Sequence, residues 1–503
     1  MANDAEHAFD LDYESSPPEP ASLLEALRAF GYSLPTAVAD LIDNSIAANA
    51  NNVWVDFNWD GPASFIAIKD DGAGMSEEEL RQAMRPGSQS PLVVRSEKDL
   101  GRFGLGLKTA SFSQCRRLTV ASRKLNSDMF FRCWDLDYVN EVGEWRLLKS
   151  LPESSINFLE ENMAATGTVV LWEKMDHVVA NAPCDDSKAY DRFLEAIESV
   201  RRHLEMVFHR FLERPNGLRL WINKNKVVPW DPFLKSEAAT QTLPPEPLPF
   251  EGQVITVTSY ILPHQSKLAP ETHKRAAGLR GWNAQQGFYV YRNNRLLVGG
   301  DWLNLGFVKE EHSKLARISI DIPNSMDSEW QIDVKKSRAK PPAGIRQDLK
   351  RIASATRKQA IEVYRFRGKV TARKNAQDFV FLWEEKRRRN KIFYSINREH
   401  PLVVQTCKTG DKASINALLS LLEETLPYTH IMVSSSGEAE KCISPYENVP
   451  PDAVIEVIKT TYLAIVNSGT SPEEAKIKLL SMDPFKYFED YFTEMLVSFE
   501  EAR

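Results

Sequence analysis

Gly101-Arg-Phe-Gly-Leu-Gly-Leu-Lys-Thr-Ala-Ser111 is the stretch that most limits how this chain can fold, because it does not stand alone. Asp40-Leu-Ile-Asp-Asn44 and Asp70-Asp-Gly-Ala-Gly-Met75 come before it, and Thr166-Gly-Thr168 comes after. A solitary Gly-x-x-Gly-x-Gly arises by chance in many chains. Four such stretches in this order describe one site assembled from several elements: carboxylates and an amide first, then a glycine-lined turn, then a glycine loop running into a helix.

Local patterns place those stretches on elements. Residues 22–30 and 36–48 show helical periodicity, the second apolar at Val38, Leu41, Ile42 and Ile46. Residues 53–59 alternate as a strand, Asp60-Gly-Pro62 turns, and 64–69 return as a second strand ending at Asp70. A short helix is expected from Ser76, where Glu77, Glu78 and Glu79 suit the positive end of its dipole. Residues 85–103 show no clear period. A helix over 107–113 and strands near 118–122, 129–134 and 168–172 complete a mixed α/β domain, with boundaries at 21 and 204. A second α/β segment, 205–342, has strands at 218–222, 254–261, 287–291 and 316–322, with Arg292-Asn-Asn-Arg295 as a hairpin turn. From 343 to 503 the chain reads as mainly helical.

Composition excludes several classes. Hydrophobic content of 43% and charged content of 26% are those of a globular protein, and a net charge of −6 favours no partner by itself. No apolar run approaches the roughly 18–20 residues of a membrane span, so no membrane partner is expected. Residues 1–20 are acidic and proline-bearing, unlike a signal peptide, and read as a disordered arm or strap. Cys115, Cys133, Cys184, Cys407 and Cys442 form no Cys-x-x-Cys pair and read as buried thiols of a reducing, cytoplasmic compartment.

The chemistry of the motifs points to ATP with Mg²⁺. Asp40 and Asn44 are four apart and share a helix face: a carboxylate there orients or deprotonates water, and the Asn44 amide oxygen ligates the metal. Taken alone, the pair is a solvated polar helix face, and Asp-Gly-x-Gly is a plain turn. Taken together they fit an adenine nucleotide, with Asp70 accepting from the exocyclic amine and Gly72, Gly74 and Met75 lining the base. Gly101, Arg102, Phe103, Gly104, Leu105, Gly106 and Leu107 lead backbone N–H groups into a helix start, where Lys108 can reach a phosphate oxygen. The Gly-Lys-Ser/Thr spacing of a Walker loop is absent, and no strand runs directly into the first glycine as a dinucleotide fold requires.

The order of these boxes resembles the GHKL superfamily of gyrase B, MutL, heat-shock chaperone ATPases and histidine kinases. Asp43-Asn-Ser-Ile46 and the glycine stretch most resemble its MORC branch, including bacterial members. The resemblance implies a Bergerat-fold ATPase, a mixed sheet with helices on one face and a mobile lid over 85–106. It gives Asp40 the catalytic-carboxylate position, Asn44 the magnesium, Asp70 the adenine and Thr168 a place near the base. Most relatives carry Glu where this chain has the shorter Asp40, which leaves room for slow turnover; Asp71 stands for a commoner Asn. The second segment resembles a transducer domain, whose lysine reaches the γ-phosphate: Lys335 or Lys336, with a solvated basic strand end as the plainer reading.

Between Ala343 and Lys391 there are 15 Lys/Arg against 5 Asp/Glu, densest at Lys386-Arg-Arg-Arg389. This segment suits nucleic-acid phosphates; a solvated helix face or a surface for an acidic partner fits as well. The resemblance implies an ATP-dependent homodimer acting on nucleic acid in a bacterial antiphage defence system, with partner proteins from the same operon. A protein-remodelling chaperone ATPase is the competing expectation. A histidine kinase is disfavoured because no acceptor His lies on a helix pair ahead of the site, and a MutL-type endonuclease because the C-terminal third carries no clustered metal motif.

Overall fold

In the computed structural model the described residues are 14, 18–29, 31–87, 106–179, 182–278, 280–332, 339–365, 382–388, 391–426 and 451–480. The chain divides after Arg365 into two compact units.

Helix α1 (Pro20–Arg28) and α2 (Leu34–Ala47) open the first unit. Ser33 caps α2 by accepting from the Thr36 amide, and Pro35 suits a first turn whose N–H has no intrahelical partner. Strands β1 (Asn52–Asn58) and β2 (Phe65–Asp70) form the expected hairpin, with Val53 opposite Asp70. Helix α3 (Glu77–Met84) starts with a reciprocal capping box between Ser76 and Glu79. Next come α4 (Gly106–Phe112), β3 (Arg117–Arg123), β4 (Met129–Asp135), α5 (Leu136–Val142), α6 (Glu153–Asn162), β5 (Gly167–Glu173), α7 (Ser187–Val207) and α8 (His209–Leu212).

The first sheet then gains two strands from further along the chain. β6 (Arg219–Ile222) pairs parallel to β1, and β7 (Asn225–Lys226) pairs with β6, giving the order β4-β3-β5-β2-β1-β6-β7. This differs from the expected boundary at 204/205, which assigned 218–222 to the second segment. A strand's own residues report its burial and not its partner, so the parallel return to β1 has no local signal. Alternate residues Val53, Val55, Ile66, Ile68, Leu118, Val120 and Trp172 face the helical layer, in one core with Val38, Leu41, Ile42, Val200 and Leu204 of α2 and α7. The opposite face is covered in part by α6, where Leu159 packs on Ala121 and Val169.

The second sheet is built from β8 (Gln241–Thr242), β9 (Glu246–Phe250), β10 (Gln253–Ile261), β11 (Gly287–Arg292), β12 (Arg295–Asp301) and β13 (Ala316–Ile322), with short helices α9 (Pro270–Ala276) and α10 (Gly281–Ala284) between β10 and β11. Its order is β12-β11-β13-β10-β8, with β9 also on β10. Helix α11 (Arg346–Arg365) lays Leu349, Ile352, Ala353 and Ala360 into this sheet's core. It therefore completes the second layer, whereas the sequence assigned it to a C-terminal helical region. Its apolar stripe at helical spacing was legible; the surface it covers was not.

In the second unit, β14 (Trp383–Arg388) and β15 (Lys391–Ile396) form a hairpin at the end of the basic segment, in the region expected to be mainly helical. Helices α12 (Pro401–Thr409) and α13 (Lys412–Glu424) and two further helices, Pro451–Asn467 and Pro472–Leu480, follow it. Among the described cysteines, Cys115 and Cys133 are buried as expected, Cys407 is half-buried and Cys184 is exposed. No helix among the described residues is long and apolar enough to cross a membrane.

Candidate active site

Helix α2 supplies the first wall. Its inward face carries Asp40 and Asp43, at 4% and 1% exposure, while Asn44 one turn on from Asp40 is exposed. The Tyr32 hydroxyl donates to Asp40 Oδ2 at 2.9 Å, holding the carboxylate from the loop just before the helix. Gly106, where α4 begins, lies beside it: a Cβ placed there would stand 3.7 Å from Asp40 Oδ2. The end of the glycine loop and the carboxylate are thus adjacent.

Asp70 ends β2 as the second wall. Ser45 Oγ donates to its Oδ2 at 2.8 Å and the Gly72 amide to its Oδ1 at 2.9 Å. Burial raises this carboxyl above its ordinary 3.8, while hydrogen bonds from Gly72, Ser45 and the Thr168 backbone pull the other way. Thr168 pairs directly with Asp70 across β2 and β5. Ser122 Oγ ties β3 to β5 and to the turn after β2: it accepts from the Met75 amide at 2.8 Å, donates to the Gly167 carbonyl at 2.9 Å and lies 3.0 Å from Thr168 Oγ1.

The glycines after Asp70 bring backbone against backbone. A side chain at Gly72 would meet Ala48, and at Gly74, where φ is +66°, it would collide with the Arg123 carbonyl. Asp71 accepts from the amides of Asn51 and Asn52, both at 2.8 Å, and from the Asn52 side chain, fastening the turn to the start of β1.

Lys108 is 2% exposed, and its ammonium donates to the Ala83 carbonyl near the end of α3 at 2.8 Å. Burial pushes it down to about 8. Gly106, Leu107 and Lys108 lie on α4, whereas Gly101, Arg102, Phe103, Gly104 and Leu105, with the lid stretch 88–105, lie outside the described residues. So do Lys335 and Lys336.

These residues fit an adenine nucleotide with magnesium. Asp70 accepts the three hydrogen bonds above, and a carboxylate has about four lone-pair sites, so capacity for an exocyclic amine remains. A single amide ligand suits Mg²⁺, which keeps several waters and takes its other oxygens from phosphates. Ser45 lies within the Asp43-to-Ile46 stretch and Tyr32 just ahead of its helix, whereas Ser122 and Arg295, described below, carry no motif and are brought in by folding.

Residues 32–168 match the family described as histidine kinase-, DNA gyrase B-, and HSP90-like ATPase. The ATPase morc-1 of Caenorhabditis elegans is 33% identical over 89 residues, 18% of this chain and 10% of that protein. The DNA mismatch repair protein MutL of Coxiella burnetii is 34% identical over 105 residues, 20% of this chain and 18% of that protein. MutL of Haemophilus influenzae is 35% identical over 92 residues, 18% and 14% of the two chains. The chain spans less than a fifth of the length of each of these curated relatives.

Proposed function

We propose that the chain, whose residues 32–168 match the histidine kinase-, DNA gyrase B-, and HSP90-like ATPase family, is an ATP-driven switch that dimerises on ATP and acts on nucleic acid. The observation that carries the reading is the meeting of Asp40, exposed Asn44 and the start of α4 at one place, with Asp70 and Thr168 paired at the neighbouring strand ends.

In this reading Asp40 orients the attacking water and takes its proton, held by the Tyr32 hydroxyl. Bound magnesium, ligated by Asn44, supplies charge neutralisation at the phosphates. Asp70 accepts from the adenine amine, and Ser45 and Gly72 keep it aimed. Residues 85–106 close over the phosphates in a Bergerat-type site, and Lys335 or Lys336 senses the γ-phosphate from a transducer-like second layer.

For nucleic acid, the support is the basic excess over 343–391 and the name of the MutL relatives. Part of that charge is spent internally: Arg351 pairs with Glu246 at 2.7 Å and Arg357 with Glu310 at 2.8 Å. Lys386 also lies 3.3 Å from Glu384, and the exposed Lys350 and Lys358 are the lysines offered to phosphates. The setting we propose, an antiphage defence system with partner proteins from the same operon, rests on the resemblance of the motifs to bacterial MORC-type proteins.

The test is ATP turnover by the purified chain with Mg²⁺ or EDTA, with and without DNA, and its mass in solution with a non-hydrolysable ATP analogue. Magnesium-dependent turnover, analogue-dependent dimers and salt-sensitive DNA binding support the reading. Turnover stimulated by unfolded protein and not by DNA would favour a remodelling chaperone instead.

A further inference from the structure

Two carboxylates three residues apart on one helix, both nearly solvent-free, repel each other and require a cation. A cation for Asp40 and Asp43 is Arg295, 252 residues beyond Asp43. Arg295 opens β12, directly after Asn293 and Asn294, whose φ values of +48° and +68° are those of a two-residue hairpin turn. The hairpin carries its side chain, 2% exposed, onto α2. Arg295 Nε lies 3.2 Å from Asp43 Oδ2, and Nη2 lies 4.0 Å from Asp40 Oδ1. Nη1 donates to the Leu296 carbonyl at 2.7 Å, and the guanidinium stands 5.9 Å from the Phe208 ring centroid. The guanidinium is thus fixed on its own strand while it spans both acids.

Among the described residues, the other ionisable neighbours are neutral, acidic or hydrogen-bonded elsewhere. His203 on α7 is pushed down to about 3 by burial and by the Arg295 charge, so it is neutral near pH 7. Lys108 on α4 is engaged with the Ala83 carbonyl, and Asp70 on β2 is held by Ser45. Tyr32 gives Asp40 a hydrogen bond but no charge.

We infer that Arg295 is a positioning residue for hydrolysis: it sets the Asp40 carboxylate through the Asp43–Arg295–Asp40 cluster, and so makes the base depend on how the second sheet is seated on α2. The inference rests on the reading of Asp40 as the base. Because β12 packs on α7 as well, a shift of the second sheet moves the guanidinium relative to Asp40. Nucleotide binding at Asp70 lies at the other end of the site and does not use Arg295.

The experiment measures kcat, ATP affinity and melting temperature for variants of the full chain. Arg295→Gln should lower kcat by roughly tenfold or more, with ATP affinity within about threefold of the parent, a split expected of a group acting mainly on the transition state. Arg295→Lys keeps the charge without the planar fork and should fall between the two. Arg295→Gln/Asp43→Asn restores the charge balance of the cluster and should regain at least about threefold in kcat over Arg295→Gln. The inference is overturned if Arg295→Gln keeps the parental kcat, if kcat and affinity fall together, or if the double variant is no better than the single. If Arg295→Gln does not fold, Arg295→Lys is judged by the same split. A parent without ATP turnover, or an Asp40→Asn variant with full turnover, overturns the reading of the site itself; silent Arg295 variants beside an inactive Asp40→Asn overturn only the role of Arg295.

Discussion

Ser45 on the second helix donates to Asp70 at the end of the second strand, at 2.8 Å, so the element carrying the candidate base also steers the candidate adenine acceptor. Asp70→Asn should weaken ATP binding by about tenfold or more, and Ser45→Ala by about three- to tenfold, as expected for hydrogen bonds to a charged group. Burial raises the Asp70 carboxyl, and binding needs the ionised acceptor. ATP affinity should therefore fall on acidification at a pH above the ordinary 3.8 of an aspartate. Stability runs the other way: the fold favours the protonated acid, so this group costs stability as pH rises through the same window. Calorimetric titration across pH checks the first claim and denaturant melts the second; equal affinity of Asp70→Asn removes Asp70 from the site.

Asp40 and Asn44 should separate chemistry from binding. Asp40→Ala is expected to stop turnover while ATP remains bound, because a base acts on the transition state. Asn44→Ala should lose the magnesium-dependent part of ATP affinity. Parental turnover in Asp40→Ala would move the search to another carboxylate.

Lys108 gives a proton count. Its ammonium is pushed down to about 8 by burial, so near pH 8.5 a large share is neutral. A phosphate within reach stabilises the charged form. ATP binding at pH 8.5 should then take up a fraction of a proton, seen as a heat that varies with the ionisation enthalpy of the buffer and lost in Lys108→Met. An unchanged heat means Lys108 stays on the Ala83 carbonyl. In the unliganded fold the group's stability contribution rises with pH between about 8 and the unfolded value near 10.5, because the unfolded chain binds more protons there.

Gly167 is expected to tolerate no side chain. Its φ is +132°, and a Cβ would collide with the Asp70 carbonyl across the strand pair. Gly167→Ala should cost about 2–4 kcal/mol from backbone strain and overpacking, read as a fall in the denaturation midpoint. A midpoint equal to that of the parent would show that β2 and β5 can part at this point.

Local patterns made many elements readable where neighbours in sequence are neighbours in space, although the equally local β14–β15 hairpin was missed among its charges. The β1–β2 hairpin, the Ser76–Glu79 capping box and the Asn293-Asn294 turn all follow from a few adjacent residues. What closed only through folding was hidden. Arg295 sits in a legible turn, yet nothing near it announces two aspartates far upstream. Ser122 looks like any small residue of an alternating strand until β3 and β5 pair. Residues 346–365 show an apolar helical stripe, but the sheet that receives it is specified by strands scattered between Gln241 and Ile322.

The parallel pairing of β6 with β1 bears on how the protein can be divided. Trp54 and Trp221 face each other across those strands, with ring centroids 5.5 Å apart and planes 13° from parallel. A fragment ending at residue 204 would strip that partner away, baring the backbone of β1 as a sticky edge and leaving an unstacked indole in water. The shortest autonomous ATPase fragment should therefore run past Lys226. The shorter one should announce itself by self-association and altered tryptophan fluorescence before any enzymology is attempted.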